Sequence, residues 1–178
     1  MQQYLTLTVI TQDRPGVVEK IAKVLLLNNG SWLESNMSKL AGKFAGVLLV
    51  KIPKKNQAQL LEQLGELSSE GIKITAELTN NNDHDVDYRY LLSLVGNDRP
   101  GIIGELSSIL ARLNINVEEL CTNCEDAPMS SELLFKASAV VSFSKNSKIN
   151  SASIQRELEC LSDDFIIELE LMEEKKGS

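Results

Sequence analysis

Hydrophobic and polar residues alternate along the first 79 residues with two periods, one typical of strands and one typical of helices. Leu5, Leu7 and Val9 alternate with threonines, which predicts a half-buried strand. Apolar residues then recur every three or four positions over residues 17–25, which predicts a helix. The following patterns predict two strands, a second helix and a last strand, at residues 32–40, 44–52, 58–67 and 72–78.

A four-residue motif separates the first predicted strand from the first predicted helix, and it occurs twice. Its copies, 85 positions apart, are Asp13-Arg14-Pro15-Gly16 and Asp98-Arg99-Pro100-Gly101. Apolar residues on both sides of the motif follow the same offset, which indicates a duplication. The sequence therefore predicts a first domain at 1–79, a polar linker at 80–88, a second domain at 89–172 and a flexible charged tail at 173–178.

The second half repeats the order of elements of the first. Its predicted strands and helices lie at residues 90–95, 100–113, 116–123, 133–143, 152–161 and 165–171. A βαββαβ order is the split-βαβ pattern. The predicted fold class is therefore α+β, with two ferredoxin-like domains whose antiparallel sheets carry both helices on one face. The connection at residues 125–130 is longer than the tight turn of the first half at 41–43.

Each predicted sheet keeps one face free of helices, and several residues on that face are apolar. They are Ile10, Leu49, Leu91, Val95, Leu134 and Ile166. An open apolar face favours association, so we expect a homo-oligomer or another protein partner. The alternative is that these residues are ordinary isolated apolar side chains on a solvated face.

The tandem βαββαβ order with Asp-Arg-Pro-Gly between first strand and first helix resembles the ACT domain family. More narrowly, the chain resembles the tandem ACT proteins of the glycine cleavage system transcriptional repressor family. The segments that carry this resemblance are residues 7–17, 94–102, 38–46 and the pair Ala127-Pro128. Together with the order of elements, they extend the resemblance over nearly the whole chain.

The resemblance implies a regulatory protein that binds a small amino acid, plausibly glycine, near the first strand–helix turn. The predicted ligand-binding residues are Asp13, Arg14, Pro15, Gly16, Val17, Asn97, Asp98, Arg99, Pro100, Gly101 and Ile102. It also implies control of transcription through a transcription factor or other regulatory protein, without direct contact with nucleic acid. Many ACT units are purely structural, so either repeat could lack a ligand.

The residue types at the turn suit a zwitterion on physical grounds as well. The leading N–H groups of a helix are unpaired and attract a carboxylate, and a glycine lets it come close to the backbone. An arginine could add a bidentate contact, and an aspartate could accept a hydrogen bond from an ammonium group. Pro15 suits the first turn of the helix, where its missing N–H costs nothing. Alternatively, Asp13 and Asp98 cap the helices, the arginines are solvated or paired with acids, and the prolines and glycines of the motif only shape the turn. Glu19 aligns with Gly104, so the two turns are not equivalent.

The composition disfavours several classes of function. The formal net charge is −7 with 25 acidic and 18 basic residues, which disfavours binding to DNA or RNA. A single histidine, His84, lies in the polar linker, and no catalytic constellation or multi-histidine metal site can be argued, so we expect neither enzyme activity nor a cofactor. The sequence shows no membrane span and no secretory signal, which favours a cytoplasmic protein with reduced thiols.

Cys121 and Cys124 have the spacing of a metal or redox pair. In a strand, residues three apart point to opposite faces, and no second cysteine pair follows, so a site there is disfavoured. Trp32 and Met37 could line a pocket, although core or interface packing is the stronger interpretation.

The leading hypothesis is an amino-acid-responsive repressor or co-regulator of glycine cleavage that acts by protein contact. The alternatives are a ligand-free ACT scaffold and a regulatory subunit that docks a biosynthetic enzyme.

Overall fold

The computed structural model describes residues 1–79, 88–127, 132–143, 151–159 and 165–172. Contacts divide the chain into two units, 1–82 and 83–178, which we call the first and second unit. The division falls within the predicted linker, whose residues 80–87, including His84, lie outside the described residues, as does the tail at 173–178. Tyr88, assigned to the linker from sequence, is a strand residue.

The first unit has the predicted order of elements. Its strands are β1 Gln2–Gln12, β2 Ser31–Leu40, β3 Lys43–Pro53 and β4 Lys73–Thr79, and its helices are α1 Val17–Leu27 and α2 Gln57–Glu66. A short 3₁₀ turn at Leu67–Glu70 extends α2 towards β4. The strand order β2-β3-β1-β4 is antiparallel throughout and places β1 in the interior of the sheet.

The second unit repeats this topology. Its strands are β5 Tyr88–Asn97, β6 Asn116–Asp126, β7 Leu133–Phe143 and β8 Phe165–Leu171, and its helices are α3 Ile102–Arg112 and α4 Ser151–Glu159. The strand order is β6-β7-β5-β8, again antiparallel. Two antiparallel four-stranded sheets with helices confirm the predicted α+β class of tandem ferredoxin-like units.

Burial alternates along each central strand as the sequence predicts. Leu5, Leu7 and Val9 of β1 are fully buried and pack with apolar residues of α1 and α2. Leu92 and Leu94 of β5 do the same in the second unit. Of the residues expected on the open sheet faces, Ile10 and Ile166 are exposed, and Leu49, Leu91, Val95 and Leu134 are half-buried.

Both first helices begin later than the sequence predicts. Gly16 and Gly101 are left-handed, with φ of 88° and 93°, and a helix cannot run through such a residue. Pro15 and Pro100 therefore lie in the preceding turn, and not in the first turn of the helix. At the other end of α1, Asn29 has a positive φ of 54°, whereas Gly30 does not.

The two hairpins on the outer side of the sheets differ. Ala41 and Gly42, both at positive φ, form a two-residue turn between β2 and β3. In the second unit the ladder extends to the pair Asp126↔Leu133, and residues 128–131 lie outside the described part of the chain. Trp32 and Met37 of β2 pack against the core, in agreement with the preferred interpretation.

Within the described residues, no helix is both long enough and apolar enough to cross a membrane.

Candidate functional site

The Asp-Arg-Pro-Gly motif forms a corner at the end of the interior strand of each sheet. We call residues 13–17 the first corner and residues 97–102 the second corner. The hairpin of the same unit holds each one, because the N–H of Asp13 donates to the carbonyl of Gly42 at 3.0 Å and the N–H of Asp98 donates to that of Leu133 at 2.8 Å. The corners therefore have equivalent backbone anchors.

No side chain caps either helix at its corner. Gly16 and Gly101 occupy the cap positions, and neither Asp13 nor Asp98 bonds to the helix start, so the prediction that these aspartates cap the helices is wrong. The reason is conformational: two residues separate each aspartate from the cap position, and the cap residue itself is a left-handed glycine. The leading N–H groups thus keep the partial positive charge that an anion would meet.

Asp13 has another partner in the first unit. Its Oδ2 lies 2.5 Å from Nζ of Lys39 on β2, which ties the corner to the edge strand of the sheet. An ammonium group of a ligand would share this carboxylate with a lysine.

A second group of charged residues surrounds the first corner on the side of α2. The guanidinium of Arg14 donates to the carbonyl of Glu70, and Lys20 of α1 pairs with the carboxylate of the same residue. The hydrogen bond from Lys20 is the main cause that lowers the pKa of Glu70 from its ordinary value of 4.5. The structure thus orients Arg14 through a main-chain carbonyl, without neutralising it directly.

The first corner opens into a cavity of about 310 Å³, near the lower end of the range of small-ligand pockets. Its lining comprises Asp13, Arg14, Gly16, Val17, Val18, Glu19 and Phe44. The lining combines one cation, two carboxylates and three apolar side chains. Val18, Glu19 and Phe44 are lining residues outside the predicted set. Phe44 could have been found from its place just after the hairpin turn.

A buried hydroxyl without a hydrogen bond lies next to one lining residue of this cavity. Thr11, the cross-strand neighbour of Phe44, is only 4% exposed, and its Oγ1 has no partner within the described residues. A bound water or ion is one arrangement that would satisfy such an atom. The aligned residue of the second unit is Gly96, which has no side chain to present.

The second corner is filled by an ion pair. Both guanidinium nitrogens of Arg99 donate to Glu105 of α3, Nη1 to Oε1 at 2.7 Å and Nη2 to Oε2 at 2.6 Å. Arg99 also lies over the ring of Phe165, 5.3 Å from its centroid, which adds a cation–π contact. The hydrogen bond from Arg99 is the main cause that lowers the pKa of Glu105.

A cavity beside the second corner lies along α3 and reaches α4. It measures about 580 Å³ and shares only Gly101 with the predicted site residues. Asn97, Asp98 and Pro100 are exposed, whereas the side chain of Ile102 is buried in the core. The structure therefore gathers four of the five residues predicted for the first corner around one cavity, and it does not do so at the second.

Cys121 and Cys124 are free and exposed on β6. Cys121 pairs with Ser138 and Cys124 with Phe135, positions that alternate between the faces of the sheet. The two thiols thus point to opposite faces, as their spacing predicts.

Comparison with known proteins identifies a matching family model and solved structures with a similar fold. Residues 3–77 match the family model described as ACT domain. The fold is similar to that of an unknown protein from Galdieria sulphuraria, with 25% identity, a TM-score of 0.79 and coverage of 97% of this chain and 99% of that chain. It is also similar to that of a candidate glycine cleavage system transcriptional repressor, with 17% identity, a TM-score of 0.71 and coverage of 98% and 99%. No curated protein sequence matches this chain.

Proposed function

We propose that this chain is an amino-acid-responsive regulatory protein, on the basis of the match of residues 3–77 to the ACT domain model and of the similar fold of a solved structure over 97% of the chain. The ligand is a small amino acid bound at the first corner. The chain itself carries out no reaction, and its output is a contact with another protein.

The single observation that carries this proposal is the cavity at the uncapped start of α1. A ligand carboxylate there would meet the leading N–H groups of the helix and the guanidinium of Arg14. The ammonium group would lie near the carboxylates of Asp13 and Glu19. Both charges of a zwitterion therefore have partners, whereas a dicarboxylate would be repelled.

The apolar part of the lining limits the ligand side chain. Val17, Val18 and Phe44 offer no hydrogen bonds from their side chains, so they favour a hydrogen, a methyl or another small apolar group. Glycine fits these requirements. The solved structure of a candidate glycine cleavage repressor with the same fold supports glycine cleavage as the regulated process.

The output we propose is contact with a transcription factor or another regulatory protein. The net charge of −7 supports action without direct binding to nucleic acid. Exposed apolar residues on the open sheet face of the first unit, such as Ile10 and Val47, provide surface for such a contact or for a second copy of the chain.

A ligand-free scaffold is the second candidate, and one observation favours it. Asp13 and Arg14 already have protein partners in Lys39 and Glu70, so the corner is stable without a ligand. In this case the chain would dock its partner, a transcription factor or a biosynthetic enzyme, in the same way at any amino-acid concentration.

Isothermal titration calorimetry with glycine, L-alanine, L-serine, L-valine and L-aspartate separates the two functions. We expect saturable heat with the small neutral amino acids and none with aspartate. Replacing both Arg14 and Arg99 by alanine should weaken that binding about 10- to 100-fold. Absence of heat and of any thermal shift with all five would contradict the sensor and favour the scaffold.

A further inference from the structure

The second corner contains a carboxylate that belongs to the chain itself. Glu105 lies in the first turn of α3, and its Oε1 is 3.6 Å from the position that a Cβ on Gly101 would take. Both of its oxygens accept hydrogen bonds from Arg99. A guanidinium and the start of a helix are the two groups that would hold the carboxylate of a free amino acid.

The aligned position in the first unit has the opposite charge. Lys20 aligns with Glu105 of the second unit. It pairs with the carboxylate of Glu70, whose main-chain carbonyl accepts a hydrogen bond from Arg14. Glu19, the acid in the first turn of α1, pairs through Oε1 with Lys23 at 2.7 Å, and its Oε2 lies 4.0 Å from the position that a Cβ on Gly16 would take. The difference between the corners is therefore the partner of the arginine: Arg99 pairs with the carboxylate of Glu105, whereas Arg14 donates to a main-chain carbonyl and leaves its corner without a bidentate pair among the described residues.

Arg99 is also held more firmly than its counterpart. It is in contact with the carboxylate of Glu105 on one side and with the ring of Phe165 on β8 on the other. A ligand that entered here would have to displace Glu105 from a bidentate pair, which is among the stronger hydrogen-bonded arrangements in proteins.

We propose that the two corners are not equivalent: the chain binds one small amino acid, at the first corner, because Glu105 occupies the second corner as a built-in substitute for the ligand carboxylate. The ligand class rests on the proposed function. The occupation of the second corner by Glu105 can fail or hold independently of it.

The number of binding events per chain tests this inference. Titration of the wild-type chain with glycine and L-alanine should give one site per chain. Glu105→Ala removes the internal carboxylate from Arg99, so it should give a second site. Glu157→Ala is the matched control, because it breaks the exposed ion pair with Arg112 in the same unit and leaves the corner intact.

A second measurement covers the case in which Glu105→Ala does not fold. In ¹⁵N-labelled wild-type protein, glycine or L-alanine should shift the amide resonance of Gly16 and leave that of Gly101 in place. Circular dichroism establishes whether each variant is folded.

Each outcome decides the question. Two sites in the wild type, or a shift at Gly101 comparable to that at Gly16, overturns the inference and leaves the sensor function standing. One site in both the wild type and Glu105→Ala also overturns it. No binding by the wild type but one site in Glu105→Ala supports occupation of the second corner while the first-corner function fails, and no binding by either contradicts both.

Discussion

The two units share a topology and a turn motif, yet their corners are in different states. Gly16 and Gly101 have nearly the same φ, and the hairpins bond to Asp13 and Asp98 in the same way. The difference arises outside the motif, above all where Lys20 of the first unit aligns with Glu105 of the second. The motif thus determines the backbone, and the residues of the following helix determine whether a ligand has room and charge partners.

The largest effect on stability should come from Gly46, where the backbones of β2 and β3 lie too close together for a side chain. A Cβ on Gly46 of β3 would lie 2.6 Å from Cα of Met37 on β2, closer than real atoms approach, whereas the aligned residue of the second unit is Ala137. Gly46→Ala should therefore lower the free energy of unfolding by about 1–3 kcal/mol. Urea denaturation followed by the fluorescence of Trp32, the single tryptophan, reports on this unit.

Gly65→Ala serves as its control. A Cβ on Gly65 meets nothing within 4 Å in α2, and alanine favours a helix by about 0.5–1 kcal/mol over glycine. This variant should be at least as stable as the wild type. Equal stability of the Gly46→Ala chain would show that the edge strand β2 yields to the new methyl group.

The next effect concerns ligand binding, and it distinguishes the corners. Arg14→Ala should weaken binding of glycine or L-alanine about 10- to 100-fold, because a hydrogen bond between charged groups contributes about 1.5–3 kcal/mol. Arg99→Ala should leave the affinity within a factor of about two, since we propose that the second corner holds no ligand. Titration calorimetry measures both affinities, and a reversed order would assign the ligand to the second corner.

A smaller effect should be the same in both units, which sharpens the claim that their backbones are equivalent. Gly16→Ala and Gly101→Ala each place a side chain at a left-handed residue, at a cost of about 1–2 kcal/mol. Each methyl group has at least 3.6 Å of space, so conformation dominates in both. Chemical denaturation of the two variants should therefore give losses that agree closely, and a much larger loss at Gly101 would point to a clash with Glu105.

The smallest expected effect is a pH dependence. Since Arg99 lowers the pKa of Glu105, the pair stabilises the fold fully above the ordinary value of 4.5 and loses this contribution as pH falls through the lowered value. Titration of the glutamate carboxyl resonances by NMR should give a pKa for Glu105 below 4.5, returning towards 4.5 in Arg99→Ala. In that variant the pKa of Glu19 should stay below 4.5, because Lys23 lowers it. An unchanged pKa of Glu105 would exclude Arg99 as the cause of its shift.

The fold could be predicted from the sequence almost completely, because each unit buries one face of its sheet and the apolar period records this directly. Only the ends of elements moved: β5 begins at Tyr88, and α1 begins at Val17 because Gly16 is left-handed. Both shifts follow from local backbone conformation, which hydrophobic periodicity does not report.

The site could be predicted only in outline. The motif identified both corners, but the partners of Asp13 and Arg14 come from β2 and from the 3₁₀ turn after α2, segments distant in sequence. Pattern analysis of the motif alone does not reveal such contacts. The aligned repeats indicated non-equivalent turns through Glu19 and Gly104, whereas the pairing of Glu105 with Arg99 becomes visible only in the structure.

The attachment of Glu105 to its own helix has a consequence for how the two halves would respond in a cell. A tethered group acts at an effective concentration of about millimolar or more that no change in metabolite supply can dilute. The bidentate pair between Arg99 and Glu105 would therefore keep the second corner occupied at any amino-acid concentration. Only the first corner would respond when the concentration of the free amino acid rises or falls.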